Sequence, residues 1–285
     1  MNKNDHIPVL SSEVLDALHV KKTRKYIDAT LGAGGHSSLI LAHGGSVLGI
    51  EADNQMIEIA RANLGQVGDD FVIAQGNFVN IDRLAKENGF TLVDGIFYDL
   101  GISSLHYKNG RGFSFENEDE PLDMRLDTHS QAVTAADLLN SLRRDQIEEM
   151  LGAGMELGEA RRMAILIWKF GEKKKYRCVR DLVAALDGMP RMGKLHPATK
   201  VFAALRIAVN SELTNLTESL PRAWELIKPG GTLVVISFHS GEDRIVKQFM
   251  GNREKPVVPS EEELEKNPRA RSAKMRVLRK EKNEI

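Results

Sequence analysis

Lys25-Tyr26-Ile27-Asp28-Ala29-Thr30-Leu31-Gly32-Ala33-Gly34-Gly35-His36-Ser37 is the stretch that decides the fold. Residues 25–30 read as a short strand, 32–35 as a tight turn and 36–42 as a helix. Glycine in such a turn lets the backbone approach a ligand and adopt dihedrals closed to other residues. Downstream, residues 46–50 form a mostly apolar run ending at Glu51, and 55–64 carry Met56, Ile57, Ile59 and Ala60 at helical spacing. Residues 71–74 and 94–98 read as third and fourth strands. Apolar strands alternating with helices predict an α/β fold with a parallel sheet covered on both faces.

The alternation then stops. Residues 105–197 hold no convincing buried strand, and 131–140, 145–151, 159–170 and 179–186 read as helices. A long helix is predicted over 199–227, followed by a strand over 230–238. The simplest account is one α/β domain, residues 1–104 and 199–285, interrupted by a helical insertion at 105–198. Insertions after a strand's carboxyl end sit beside the ligand crevice, where they can grip a large substrate. Glu261-Glu262-Glu263, with Pro256 and Pro259, reads as a linker before a last strand over 273–278.

Composition bounds the function. The chain has 285 residues, 39 Lys+Arg and 40 Asp+Glu, a net charge of −1, so any nucleic-acid binding must come from local patches. Two exist: Lys169, Lys173, Lys174, Lys175, Arg177 and Arg180 face one acid, Glu172, and residues 266–280 carry seven Lys+Arg with no acid between. With 42% hydrophobic residues the chain is not disordered along its length, and its single cysteine, Cys178, excludes an internal disulfide framework. No histidines stand at i and i+4 and the acids are dispersed, so no metal site is expected. No apolar run approaches the ~18 residues of a membrane helix. Met1-Asn2-Lys3-Asn4-Asp5 lacks the apolar core of a secretion signal, and the expectation is a cytoplasmic protein.

The strand ends point to a cofactor. Glu51 stands where a carboxylate accepts both hydroxyls of a ribose, a feature shared by NAD and S-adenosylmethionine (SAM) sites. A dinucleotide fingerprint would place a third glycine where Ser37 stands. Gly76-Asn77-Phe78 offers a ring on which an adenine can lie, and Asp99-Leu100-Gly101 sets a carboxylate at the crevice. Simpler roles exist for each, a loop anchor for Phe78 and a helix cap for Asp99. Taken in order, glycine turn, acid, aromatic and acid match the layout of class I SAM-dependent methyltransferases, Rossmann-like domains with an antiparallel strand at the sheet edge.

Several longer motifs are more specific. Residues 28–37, Asp99-Leu100-Gly101-Ile102-Ser103-Ser104, Arg111-Gly112-Phe113-Ser114-Phe115, Pro121-Leu122-Asp123-Met124-Arg125-Leu126-Asp127, His196-Pro197-Ala198-Thr199, residues 205–213, Ile236-Ser237-Phe238-His239-Ser240 and Asn267-Pro268-Arg269-Ala270-Arg271-Ser272 resemble the bacterial 16S rRNA (cytosine-N4) methyltransferase family, RsmH/MraW. The resemblance runs from His6-Ile7-Pro8-Val9-Leu10 through nearly the whole chain. It implies SAM as methyl donor, a cytosine in the decoding region of 16S rRNA within the small ribosomal subunit as acceptor, and a helical recognition domain inserted in the methyltransferase fold. A homodimer is compatible with it. It assigns Gly34, Gly35 and His36 to the SAM site, with Glu51 at the ribose, Phe78 near the adenine, and Asp99 and His106 beside the cofactor. This chain departs from the family at Leu105-His106-Tyr107-Lys108, Gly110, Gly241 and Met155-Glu156-Leu157-Gly158-Glu159.

The expected chemistry follows from the acceptor. The exocyclic nitrogen of cytosine shares its lone pair with the ring, so an acceptor bonded to that amino group and in-line placement supply the acceleration. Asp99, or a backbone carbonyl between Asp99 and Ser104, is the candidate acceptor; Ser103, Ser104 and His239 are candidates for holding the other edge of the base. Asp99 serving the cofactor alone is the competing view. The target base must be unstacked, at a cost of a few kcal/mol. Phe113, Phe115 and Trp168 are candidate base contacts, with core of the insertion the better reading for Trp168, and Arg111 and Arg125 are candidates for phosphates or for surface pairs with Asp119, Asp123 and Asp127. Three rival readings stand beside this one: a SAM enzyme acting on DNA or protein, a ribosome-assembly factor whose activity is binding, and a Rossmann dehydrogenase.

Overall fold

A computed structural model describes residues 8–103, 105–189, 196–251 and 255–282. The chain divides into two compact units, Met1–Ser103 with Leu213–Ile285, and Ser104–Glu212. In chain order the first unit begins with α1 (Ser11–Leu18), β1 (Lys25–Asp28), α2 (Gly35–Ala42), β2 (Ser46–Glu51), α3 (Asn54–Leu64), β3 (Phe71–Gln75), α4 (Ile81–Glu87) and β4 (Val93–Asp99). The helices of the second unit are α5 (Ala135–Ser141), α6 (Arg144–Gly152), α7 (Leu157–Gly171), α8 (Val179–Ala185) and α9 (Pro197–Val209). The first unit resumes with α10 (Glu212–Leu226), β5 (Ile227–Ser237), α11 (Ser240–Met250), α12 (Glu261–Lys266) and β6 (Lys274–Arg279).

The strands form one sheet in the order β3-β2-β1-β4-β5-β6. All pairs are parallel except β5 with β6, the antiparallel edge that the terminal segment predicts. Alternation along each strand divides the core into two layers. Ile27, Leu48, Ile96, Leu233 and Val235 pack with α4, α10 and α11, whereas Tyr26, Val47, Phe97, Val234 and Ile236 pack with α1, α2 and α3. β1 pairs with β2 on one side and β4 on the other, so the order of the chain reverses between β1 and β4. Ligands of open α/β sheets bind outside the strand ends at such a switch point. Here the two strands that flank it end at Asp28 and Asp99.

Three sequence expectations need correction. The helix over 199–227 is two helices, because Ser211 takes φ 50°, a left-handed value that ends α9 at Asn210. The second unit therefore runs to Glu212 rather than ending at 198, and α9 belongs with the insertion. The acidic run at 261–263 is the first turn of α12, not a linker: Ser260 Oγ accepts from the Glu263 amide at 3.2 Å, and acids suit a helix N-terminus. Glu263 Oε1 also accepts from the Leu10 amide at 2.7 Å, holding the start of α1.

In the second unit α5 starts from a capping box, Thr134 accepting from the Asp137 amide and Asp137 from that of Thr134. α7 buries Ala160, Met163, Ala164 and Ile167 at helical spacing. The loop before α5 is held from inside. Buried Met124 sits at φ 59°; Asn210 Nδ2 donates to its carbonyl at 2.8 Å, and Asn210 Oδ1 accepts from the Leu126 amide at 2.9 Å. Arg111 Nη1 donates to the carbonyls of Arg125 and Leu126, and Arg125 is paired with Asp123 at 2.7 Å. No helix among the described residues is long and apolar enough to cross a membrane.

Candidate functional site

The first unit gathers most of the singled-out residues at the carboxyl ends of its parallel strands. Gly34 caps α2 at φ 83°, and a Cβ there would meet Leu64 at 3.3 Å; a Cβ on Gly35 would meet Pro8 Cγ at 2.9 Å. Both positions therefore admit little but glycine, and the first turn of α2 lies against β1 and α3. Glu51 is fixed by three backbone donors: the Gly32 amide to Oε2 at 2.8 Å, and the amides of Ala52 and Asp53 to Oε1 at 2.8 and 2.9 Å. Donors so placed tie the carboxylate to the glycine turn. Phe78 is half-buried in a short 3₁₀ turn, edge-on to Tyr98 with ring centroids 5.7 Å apart, and Tyr98 hydroxyl bonds Ser219.

Asp99 is the electrostatic centre. Burial, then the neighbouring carboxylates of Asp28 and Glu242, push it up to about 8. Its amide donates to Thr30 Oγ1 at 2.6 Å, its Oδ2 lies 3.5 Å from His36 Nδ1, and its buried Oδ1 has no hydrogen-bond partner among the described residues. Buried His36 places Nε2 2.9 Å from the Val9 carbonyl, which only accepts, so Nε2 carries the proton. The Nδ1 of a neutral ring then offers a lone pair toward Asp99. A protonated Asp99 carboxyl can donate toward that lone pair, in keeping with its raised value. Asp28 is pushed up to about 6 by burial, with Ser37 Oγ at 2.7 Å and the Thr30 amide at 3.2 Å opposing and Glu51 adding to the rise. No lysine or arginine pairs with Asp28, Asp99 or Glu242 among the described residues.

His239 caps α11: its Nδ1 accepts from the amides of Gly241 and Glu242 at 3.2 and 3.4 Å, and Nε2 stands 3.2 Å from Glu242 Oε1. Buried Glu242 in turn accepts from the Phe238 amide at 2.8 Å. Glu242 and Asp28 were missed as site residues, although Glu242 stands three positions after His239, the spacing of a capping box. Asp99 ends β4 and caps no helix. Ser103 closes the first segment of this unit, and Ser104 lies outside the described residues. His106 belongs to the second unit, where it is buried with its ring centroid 5.6 Å from that of Phe113. Phe115 stacks on His196, the cap of α9, at 4.9 Å, so both serve packing. Trp168, expected in the core, is 37% exposed.

A glycine turn, an acid ending β2 and buried carboxyls at the switch point of a Rossmann-like sheet, with a helical unit inserted after β4, define the class I methyltransferase type of domain. The chain belongs to the MraW methylase family, whose description matches residues 3–255, and it is a methyltransferase. It is 39% identical over 290 residues to a protein of Dictyoglomus thermophilum, covering 98% of this chain and 97% of that one. It is 42% identical over 287 residues to one of Sorangium cellulosum, covering 96% and 90%. Both relatives bear the name ribosomal RNA small subunit methyltransferase H.

Proposed function

We propose that this chain transfers a methyl group from SAM to the exocyclic N4 amino group of a cytosine in the decoding region of 16S rRNA, acting in the cytoplasm on the small ribosomal subunit. The observation that carries this reading is the set of carboxyls around Asp99. Asp28, Asp99 and Glu242 converge with no lysine or arginine paired to them among the described residues, and one Asp99 oxygen is buried and unpartnered. Such a site fits a cationic organic ligand, and SAM carries both an ammonium and a sulfonium. Its donor chemistry is an electrophilic methyl on positively charged sulfur.

Each residue then has a task. Gly34 and Gly35 leave room for close approach at the start of α2, and His36 fixes Asp99 through Nδ1. Glu51, already oriented by three amides, has lone pairs left for ribose hydroxyls. Phe78 presents an apolar ring for an adenine. Once ionised, Asp99 accepts from the cytosine amino group, weakening the conjugation that makes that nitrogen a poor nucleophile. The amino nitrogen gains positive charge on methylation, and in this reading Asp99 takes its proton. Ser103, Ser104 and His239 hold the other edge of the base in this reading. The inserted helices take the RNA.

The test is incubation with labelled SAM and small ribosomal subunits, followed by mass spectrometry of the nucleosides. The expected product is N4-methylcytosine at one position. Label in DNA or protein, or none in RNA, defeats the reading. Asp99→Asn separates the two roles of Asp99: lost methylation at unchanged SAM affinity assigns it to the acceptor, and lost SAM binding assigns it to the cofactor.

A further inference from the structure

The basic run that the site does not use lies on α7 and the turn after it. Arg161, Arg162, Lys169, Lys173, Lys175 and Arg177 are exposed, and none forms an ion pair among the described residues. Two members of the run are already neutralised: Lys174 binds Asp181 at 2.6 Å, and Arg180 pairs with Glu118 and Asp119. Arg161, Arg162, Ile165, Trp168 and Lys169 fall on the side of α7 opposite buried Ala160, Met163, Ala164 and Ile167. The following turn is tied back onto the helix, Lys173 amide to the Phe170 carbonyl at 2.9 Å and Tyr176 hydroxyl to the Ile167 carbonyl at 2.7 Å. The cations therefore stand on a fixed platform, with a half-exposed indole at its edge.

Helix-dipole complementarity accounts for cations in a last turn, but not for Arg161 and Arg162, which occupy the first half of α7 where positive charge is unfavourable. Nor is this a membrane-lying face. Interfacial helices sink a broad apolar strip, whereas the apolar face of α7 is already buried in its own unit. From Arg161 to Lys169 the face runs ~12 Å along the axis, enough for successive phosphates of one strand. We propose that this outward face of α7, with Lys173, Lys175 and Arg177, binds the sugar-phosphate backbone of single-stranded RNA, and that Trp168 supplies a stacking plane for one base. The proposal deepens the reading of RNA as substrate by naming the surface that grips it away from the methyl acceptor.

The test uses the full chain and an oligouridylate of about 20 nucleotides, which has no cytosine to enter the proposed acceptor site. Binding is titrated over a range of salt. Each single-strand phosphate neutralised by a Lys or Arg releases about 0.7 counterion, so Arg161→Gln/Arg162→Gln/Lys169→Gln should flatten the log–log salt slope by about 2. Trp168→Ala should weaken binding about tenfold at unchanged slope, and Trp168→Phe should restore most of it. All three variants should keep the parent's thermal stability and SAM affinity. Parent-like affinity and slope in the triple variant overturn the proposal, as does a loss confined to binding of anionic lipid vesicles. Methyl transfer to small subunits is measured in parallel: its failure in the parent defeats the proposed acceptor alone, since oligouridylate binding reports on α7 independently.

Discussion

Binding of SAM to this chain at pH 7 is expected to expel close to one proton. With its carboxyl pushed up to about 8, Asp99 of the unliganded chain is about nine-tenths protonated at pH 7 and about one-tenth at pH 9. A cation brought beside it favours the ionised form, and a drop of about two units, ~2.7 kcal/mol of interaction, leaves it about one-tenth protonated at pH 7. Asp28, pushed up to about 6, is about one-tenth protonated at pH 7 and adds little. Calorimetry at one pH in two buffers of different ionisation enthalpy reads the number directly. The expected release is about 0.8 proton at pH 7 and about 0.1 at pH 9, with affinity rising about sixfold between pH 6.5 and 7.5. S-adenosylhomocysteine, which lacks the sulfonium charge, should release fewer. Asp99→Asn should bind with no such pH dependence. A parent that releases under about 0.2 proton at pH 7, or an Asp99→Asn variant that releases as much as the parent, refutes the reasoning.

The same carboxyl acts on stability. An acid whose folded value lies above its unfolded one binds an extra proton in the folded state, so its stabilising effect is present at low pH and lost between about pH 4 and pH 8. Urea unfolding without ligand should therefore show Asp99→Asn gaining on the parent from pH 6 to pH 8, by at most ~1.4 kcal/mol per unit and less in practice, since the side chain is 18% exposed; a pH-independent difference would count against it. Gly34→Ala forces a side chain into φ 83° and against Leu64, and should cost about 1–2 kcal/mol in thermal unfolding while abolishing SAM binding. Asn210→Ala leaves the Leu126 amide and the Met124 carbonyl without their partner, and should destabilise the second unit by about 2–4 kcal/mol, seen as faster hydrogen exchange in that loop.

Much of the fold was legible because its determinants are local. The four parallel strands nearest the start announce themselves as short apolar runs, and each is followed by a turn or a helix period that only a crossover connection explains. The break between α9 and α10 was not legible, since both helices carry matching apolar faces and the interruption is a single backbone angle at Ser211. A serine can take that angle only where surrounding structure holds it, and no propensity scale signals it. The acidic start of α12 is hidden for the opposite reason: its charges suit a solvent-facing linker equally well, and what makes them a helix start is Ser260 as a cap and Glu263 as an acceptor for Leu10, a residue 253 positions away.

The site was legible as residues but not as a circuit. Glu51, Phe78 and Asp99 stand out because each follows a strand, yet nothing in the order of letters says that Asp28, Asp99 and Glu242 come from β1, β4 and α11 to face one another. That convergence is produced by sheet order alone, which sets β1 beside β4 and β4 beside β5, the strand that leads into α11. Its consequence is physical rather than compositional. Burial and the facing carboxylates keep a proton on Asp99 at neutral pH, which a cation brought beside it can displace. A glutamine at position 242 would keep the cap of α11 and still lower the Asp99 carboxyl, which makes charge at Glu242, and not merely its hydrogen bonds to Phe238 and His239, part of how the site is tuned.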